Sequence, residues 1–144
     1  MEAFKASRYV AGLLALTGIM GIAILAVDQV LRETAPMHFY GLILFVVIDF
    51  AVAGFVMVKQ TKTAFSLAAI WSLMRIVIQL ADVSRAHDLG MRYREFANYL
   101  FNPTLTTSPN PTGVPGAIID LILLLEIVVF VIAWRARSST MSKA

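Results

Sequence analysis

The sequence predicts an all-α integral membrane protein: a bundle of four transmembrane helices, with a short outer interfacial helix and a proline-rich outer loop between the third and fourth. Hydrophobic residues make up 59% of the 144 residues and charged residues only 15%, which is more apolar than a soluble domain of this size could bury. The apolar residues also fall into four stretches that reach or approach the roughly 20 residues a helix needs to cross a bilayer.

The predicted spans belong to a single membrane domain, 1–144, and cover about 9–30, 39–58, 63–82 and 115–134. None of them has the alternating pattern of a membrane β-strand, so each is predicted to be a helix. The first follows Lys5 and Arg8 as a signal peptide would, but its length and poor cleavage pattern predict a retained anchor. Pro115 suits the first turn of the last helix.

The connections and the basic residues predict the topology. Short links between the first three spans predict antiparallel neighbours. Placing both termini in the cytoplasm puts seven basic residues inside and four outside, as the positive-inside rule favours. The inner set is Lys5, Arg8, Lys59, Lys62, Arg135, Arg137 and Lys143, and the outer set is Arg32, Arg85, Arg92 and Arg94. We therefore expect a multi-pass protein of the cell membrane with both termini cytoplasmic.

The longest connection, about 83–114, is predicted to lie outside the membrane. Residues 91–101 carry aromatic and aliphatic side chains along one helical face, which is typical of a short helix in the outer interface. Residues 102–116 contain four of the five prolines together with Thr, Ser and Asn. This second half is predicted to be an extended, turn-rich loop.

Three charged residues lie deep inside the predicted spans: Asp49, Arg75 and Glu126. From the helical rise, they lie about 13, 18 and 12 Å from the inner ends of their spans. An arginine side chain can bridge the remaining offset, and its planar guanidinium can hold one carboxylate or connect two. Ionised groups in hydrocarbon cost several kcal/mol unless they are paired or hydrated. We therefore predict one intramembrane polar cluster.

The third span presents a polar stripe on one helical face, formed by Ser72, Arg75, Gln79 and Asp82. Three interpretations stay open: a structural tie between helices, a proton or ligand site, or charges covered by a partner subunit. Asp82 is a secondary polar candidate. So is Asp120, the weakest member, because the helix dipole already favours a carboxylate in the first turns of a helix and so accounts for it structurally. Counting it gives three acids against one base, so at least one carboxylate lacks a cation within the chain.

No cofactor is predicted. Cysteines are absent, which excludes disulfides, iron-sulfur ligation and the usual zinc sites. His38 and His87, at the outer ends of two spans, are weak candidates for copper, zinc or haem ligands. No motif for a nucleotide or an enzyme active site is visible. The net charge is +3, and the basic residues flank the apolar stretches. This arrangement indicates contact with lipid headgroups and not nucleic-acid binding.

Small residues on the first span predict close helix packing, within the chain or with another subunit. Ala11, Ala15 and Gly18 share one side of the span, and Thr17 with Gly21 forms a small-xxx-small pair.

The layout resembles that of many unrelated small membrane proteins, including accessory subunits of respiratory and oxygenase complexes. The predicted function is a non-catalytic accessory or structural subunit of a larger membrane complex, in contact with lipid and with other subunits or with itself. The alternative is a small oligomeric transporter or proton-linked carrier that uses Asp49, Arg75 and Glu126, and a small membrane enzyme is third.

Overall fold

The computed structural model of the protein describes residues 3–27, 36–88 and 114–139, together with Arg32, and side chains over most of these ranges. The described chain forms four long α-helices: α1 (Ala3–Val27), α2 (Pro36–Lys59), α3 (Lys62–Asp88) and α4 (Val114–Ser139). Each predicted span overlaps one of these helices. The all-helical class is therefore confirmed.

Three of the described helices are long and apolar enough to cross a membrane. They contribute 24 residues over Ala3–Ala26, 24 over Pro36–Lys59 and 20 over Lys62–Ala81. The fourth helix is not among the candidate spans found in the described residues. The prediction of four spans is thus confirmed for three of them.

The helices pack in cyclic order. α1 contacts α2 and α4, while α3 contacts α4 and, less extensively, α2. A tight turn joins α2 to α3: Gln60 takes a left-handed conformation with φ of 49° and donates its backbone N–H to the Val56 carbonyl at 3.2 Å. The Thr61 hydroxyl then accepts the Ala64 backbone N–H at 3.3 Å, which caps the start of α3. This turn makes α2 and α3 antiparallel, as predicted.

A cluster of buried apolar side chains fills one end of the bundle, where α1 and α3 begin and α2 and α4 end. Its fully buried members include Val10, Leu14, Val56, Ala64, Phe65, Ala68, Val129 and Ala133. Large apolar side chains such as Ile19, Leu44 and Leu124 are exposed on the outside of the bundle. This distribution suits a helical bundle whose surroundings are lipid, because lipid tails are as apolar as the core.

Two glycines of α1 bring α2 close. A Cβ at Gly18 would lie 3.0 Å from the Phe50 ring, and one at Gly21 would lie 2.6 Å from Val46 Cγ2. The predicted role of the small residues of the first span is therefore confirmed at these two positions, and the helix that they admit is α2 of the same chain. By contrast, a Cβ at Gly12 would meet nothing within 4 Å.

The predicted interfacial helix at 91–101 and most of the proline-rich segment at 102–116 lie outside the described residues. The positions of the two termini relative to the cytoplasm stay a prediction.

Gly21→Ala is expected to lower the melting temperature of the detergent-purified protein. The added Cβ would clash with Val46, and a helical valine has one strongly preferred rotamer, so the helices must shift. Overpacking of this kind costs about 1–3 kcal/mol. Gly12→Ala on the same helix is the matched control and should not lose stability. Equal melting temperatures for the two variants would contradict the packing of α1 on α2.

Candidate functional site

A layer of polar side chains crosses the bundle directly beyond the apolar end cluster. All four helices contribute to it, and its buried members are Thr17 of α1, Asp49 of α2, Ser72 and Arg75 of α3, and Glu126 of α4. Asp49 and Glu126 are 0% exposed and Arg75 is 2% exposed. Charged residues are almost never buried to this degree unless they are paired, so we expect each of these three side chains to have a partner within the layer.

The Asp49 carboxylate accepts hydrogen bonds on both oxygens. Trp71 Nε1 donates to Oδ1 at 2.7 Å, and Arg75 Nη1 donates to Oδ2 and forms an ion pair with it. The Thr17 hydroxyl lies 3.1 Å from Oδ2 and 2.8 Å from the Leu14 carbonyl, so its one proton serves either acceptor. These donors come from α1 and α3, and they compensate the loss of water around a buried carboxylate.

The Arg75 guanidinium lies between the two acids. Beside its bond to Asp49, its Nε is 3.5 Å from Glu126 Oε1. This second contact is an ion pair without a hydrogen bond, since Nε and both Glu126 oxygens lack a hydrogen-bond partner. Arg75 therefore links α3 tightly to α2 and only loosely to α4.

Two aromatic rings, one on α2 and one on α3, lie beside the ion pair. The Arg75 guanidinium carbon lies 5.0 Å from the centroid of the Phe45 ring, within the range of a cation–π contact. Phe45 in turn meets Trp71 edge to face, with centroids 5.8 Å apart. The Phe45 ring thus covers one face of the guanidinium, and Arg75 is 2% exposed.

Glu126 differs from Asp49 because the Ser72 and Thr17 hydroxyls face it without forming a hydrogen bond of normal geometry. Both of its carboxylate oxygens are buried without a hydrogen-bond partner, and so are Ser72 Oγ and Gln79 Oε1 on α3. Ser72 and Gln79 flank Arg75 on one helical face, three residues before it and four after it. Buried polar atoms without partners are rare in proteins and are usually satisfied by water or by a ligand.

The predicted meeting of Asp49, Arg75 and Glu126 is confirmed, and the described part of the polar stripe, Ser72 and Gln79, lies beside it. Asp120 is half-buried and does not belong to the ion-pair cluster of Arg75. The Asp82 and His87 side chains lie outside the described residues, and His38 is exposed on the first turn of α2. Whether the cluster has a functional role stays a prediction.

Two members of the cluster were not predicted as site residues: Thr17 and Trp71. Trp71 lies one helical turn before Arg75, so helical spacing alone could have placed its N–H on the same face. Thr17 was interpreted only as a small packing residue, and nothing in the first span indicates that its hydroxyl meets the acid of the second.

The candidate chemistry of this site is limited by its donors. Among the side chains that the structure describes, no group of three or more His, Asp or Glu residues is arranged to hold a metal ion. The available groups are carboxylates, a guanidinium, an amide and hydroxyls, which can hold water or a proton.

No family model matches the chain, and neither a curated protein nor a solved structure is significantly similar to it. The function therefore has to be argued from the site itself.

Arg75→Met is expected to destabilise the bundle strongly, because it leaves the Asp49 carboxylate buried without a cation. Removing one partner of a buried ion pair costs about 3–5 kcal/mol. Asp49→Asn in the same chain should restore part of this loss, since the amide carries no charge. Unfolding free energies of the two single variants and the double variant measure the coupling. Arg8→Met, which affects an exposed arginine 5.7 Å from the Phe4 ring, is the control. Purely additive effects of the two substitutions would refute a stabilising interaction between Arg75 and Asp49.

Trp71→Phe removes one donor while keeping an aromatic ring in place. Asp49 Oδ1 then loses its 2.7 Å hydrogen bond, and an unsatisfied buried acceptor costs about 1–3 kcal/mol. Trp134→Phe changes the same side chain at a position that is 50% exposed, and we expect its effect to be small. Equal melting temperatures for Trp71→Phe and Trp134→Phe would contradict a stabilising hydrogen bond from Trp71 to Asp49.

Proposed function

We propose that the protein is a small non-catalytic subunit of a larger membrane assembly, with four membrane-crossing helices and both termini in the cytoplasm. The observation that carries this proposal is that the hydrogen bonds of Asp49 connect helices of the same chain. Its hydrogen bonds to Trp71, Arg75 and Thr17 connect α2 to α3 and α1. These buried polar interactions thus hold helices of the chain itself together, as suits a structural component.

The proposed crossing of α4 is compatible with its charges. Glu126 is fully buried among the other helices, so it would not contact lipid. Arg135 and Arg137 lie at the end of the helix, where basic side chains reach headgroups, and Arg137 stacks on Trp134 at 4.7 Å. Between Asp120 and Arg135, all residues except Glu126 are apolar. A helix of this kind crosses a bilayer when its one acid faces the bundle interior.

A shallow groove on the outside of α1 and α2 supports the proposed partner. Small residues line it, with Arg8 at one end and Phe50 and Met57 beside it: Ala11, Gly12, Ala15, Ala53 and Gly54. A Cβ at Gly12 or at Gly54 would meet nothing within 4 Å, so the groove is open. Small residues let another helix approach closely in a membrane. The proposed occupant is a transmembrane helix of a partner subunit.

One observation favours a second function, a small proton-linked carrier. Glu126 is a buried acid with no hydrogen-bond partner, and intramembrane acids of this kind form proton relays in transporters. In that case Asp49 and Arg75 would be the fixed part of the site and Glu126 the variable one.

Gly54→Leu is expected to release the partner subunit without unfolding the chain, because the added side chain would fill the groove and not the core. The measurement is purification from the native membrane in mild detergent, followed by native gel separation and mass spectrometry of the complex. Gly41→Leu is the matched control, since a Cβ at Gly41 also meets nothing within 4 Å but lies outside the groove.

A complex of fixed stoichiometry that Gly54→Leu disrupts and Gly41→Leu preserves is the expected result. Recovery of the wild-type chain alone, or only with copies of itself, would overturn the subunit proposal and favour the carrier.

A further inference from the structure

The charge balance of the polar layer requires one proton. Arg75 contributes one positive charge, whereas Asp49 and Glu126 together contribute two negative charges if both are ionised, and the three side chains are at most 3% exposed. A net charge at such depth is strongly disfavoured in a medium of low dielectric constant. The other polar side chains that act on Glu126 are Thr17 of α1 and Ser72 of α3, and both are neutral. The layer is neutral only when one carboxyl is protonated.

The hydrogen bonds indicate which carboxyl holds the proton. Asp49 accepts on both oxygens from Trp71, Arg75 and Thr17, an arrangement that suits an anion. Glu126 accepts from no group, and its approach to Arg75 Nε is 3.5 Å. A protonated acid needs fewer donors and can itself donate one hydrogen bond. The proton therefore belongs on Glu126.

The surroundings of Glu126 are apolar on one side and include a polar side chain on the other. Towards the end where α1 begins, the next layers are the apolar cluster, in which Leu14, Phe65 and Val129 are 0% exposed. On the other side, Ile24 and Ile122 are buried as well, but Gln79 brings a polar group there: it lies one helical turn beyond Arg75, and its Oε1 is buried without a partner. An acceptor of this kind is a position at which a water molecule can bind. Water would therefore reach Glu126 past Gln79.

We propose that Glu126 is a proton-exchange site, which holds a proton inside the bundle and exchanges it with water from the side of Gln79. In the exchange, the carboxylic acid gives its proton to a water molecule and becomes a carboxylate, and the reverse step restores the neutral layer. Asp49 keeps its donors throughout, so the helices stay tied. The site is contained within this chain and does not depend on whether a partner subunit occupies the α1–α2 groove.

Infrared spectroscopy of the full chain in lipid nanodiscs tests this proposal. A protonated carboxylic acid has a C=O stretching band that ionised carboxylates lack, and the band shifts in D₂O when its proton exchanges. We expect the band in the wild-type protein at neutral pH, its shift in D₂O, and its loss in Glu126→Gln. Asp120→Asn, a change of the other acid on α4, should keep it.

Gln79→Met tests the route, because methionine has nearly the shape of glutamine but lacks the amide oxygen. The D₂O shift should become several-fold slower in this variant and stay unchanged in Ile78→Met. If Glu126→Gln does not fold, ¹³C labelling of glutamate in the wild-type chain replaces it: the band must move with labelled glutamate and not with labelled aspartate.

Four results would overturn the proposal. Absence of the band in the wild-type protein would mean that both acids are ionised, and a band that follows labelled aspartate would place the proton on another residue. A band that does not shift in D₂O would show a sealed structural proton. An unchanged exchange rate in Gln79→Met would exclude the route. None of these outcomes depends on the purification of a complex, so the two proposals fail separately.

Discussion

The carboxylate of Asp49 is the constraint on which the arrangement of the helices depends. It is fully buried, and a buried anion is tolerated only when several donors replace water. Those donors are Trp71 and Arg75 of α3 and Thr17 of α1, so these two helices must turn the matching faces towards α2. α4 then joins through the contact of Glu126 with the same arginine. One side chain thus sets the rotation of three helices and influences the fourth.

Arginine suits this position better than lysine would. Its planar guanidinium offers donors in different directions and a flat face, and here it contacts Asp49, Glu126 and the Phe45 ring at once. A lysine ammonium is a compact, strongly hydrated charge and could not span both acids and the ring from one place. The guanidinium is also less strongly hydrated, which lowers the cost of taking it out of water.

Much of the fold could be predicted from the sequence, because hydrophobic length and intramembrane charge act locally. The spans around Asp49 and Arg75 follow from apolar stretches, and the cluster follows from the cost of burying charges of opposite sign at one depth. The same argument predicts that Glu126 belongs to the cluster, although α4 is not among the candidate spans found in the described residues. Thr17 could not be predicted as a partner of Asp49, since the sequence does not show which face of α1 meets α2. That face also carries Gly18 and Gly21, at which α2 approaches closely.

The two acids of the layer have different roles, one structural and one in the proposed proton exchange, because their surroundings differ. Asp49 is surrounded by donors, so removing its charge would weaken the hydrogen bond from the Trp71 N–H and leave the guanidinium without its anion. Glu126 has no such donors, so a change in its protonation breaks no hydrogen bond that the structure contains. A rigid bundle can therefore contain an exchangeable proton without moving its helices. For this reason a structural subunit and a proton site are compatible in one chain: the interaction that fixes the architecture is separate from the group that exchanges.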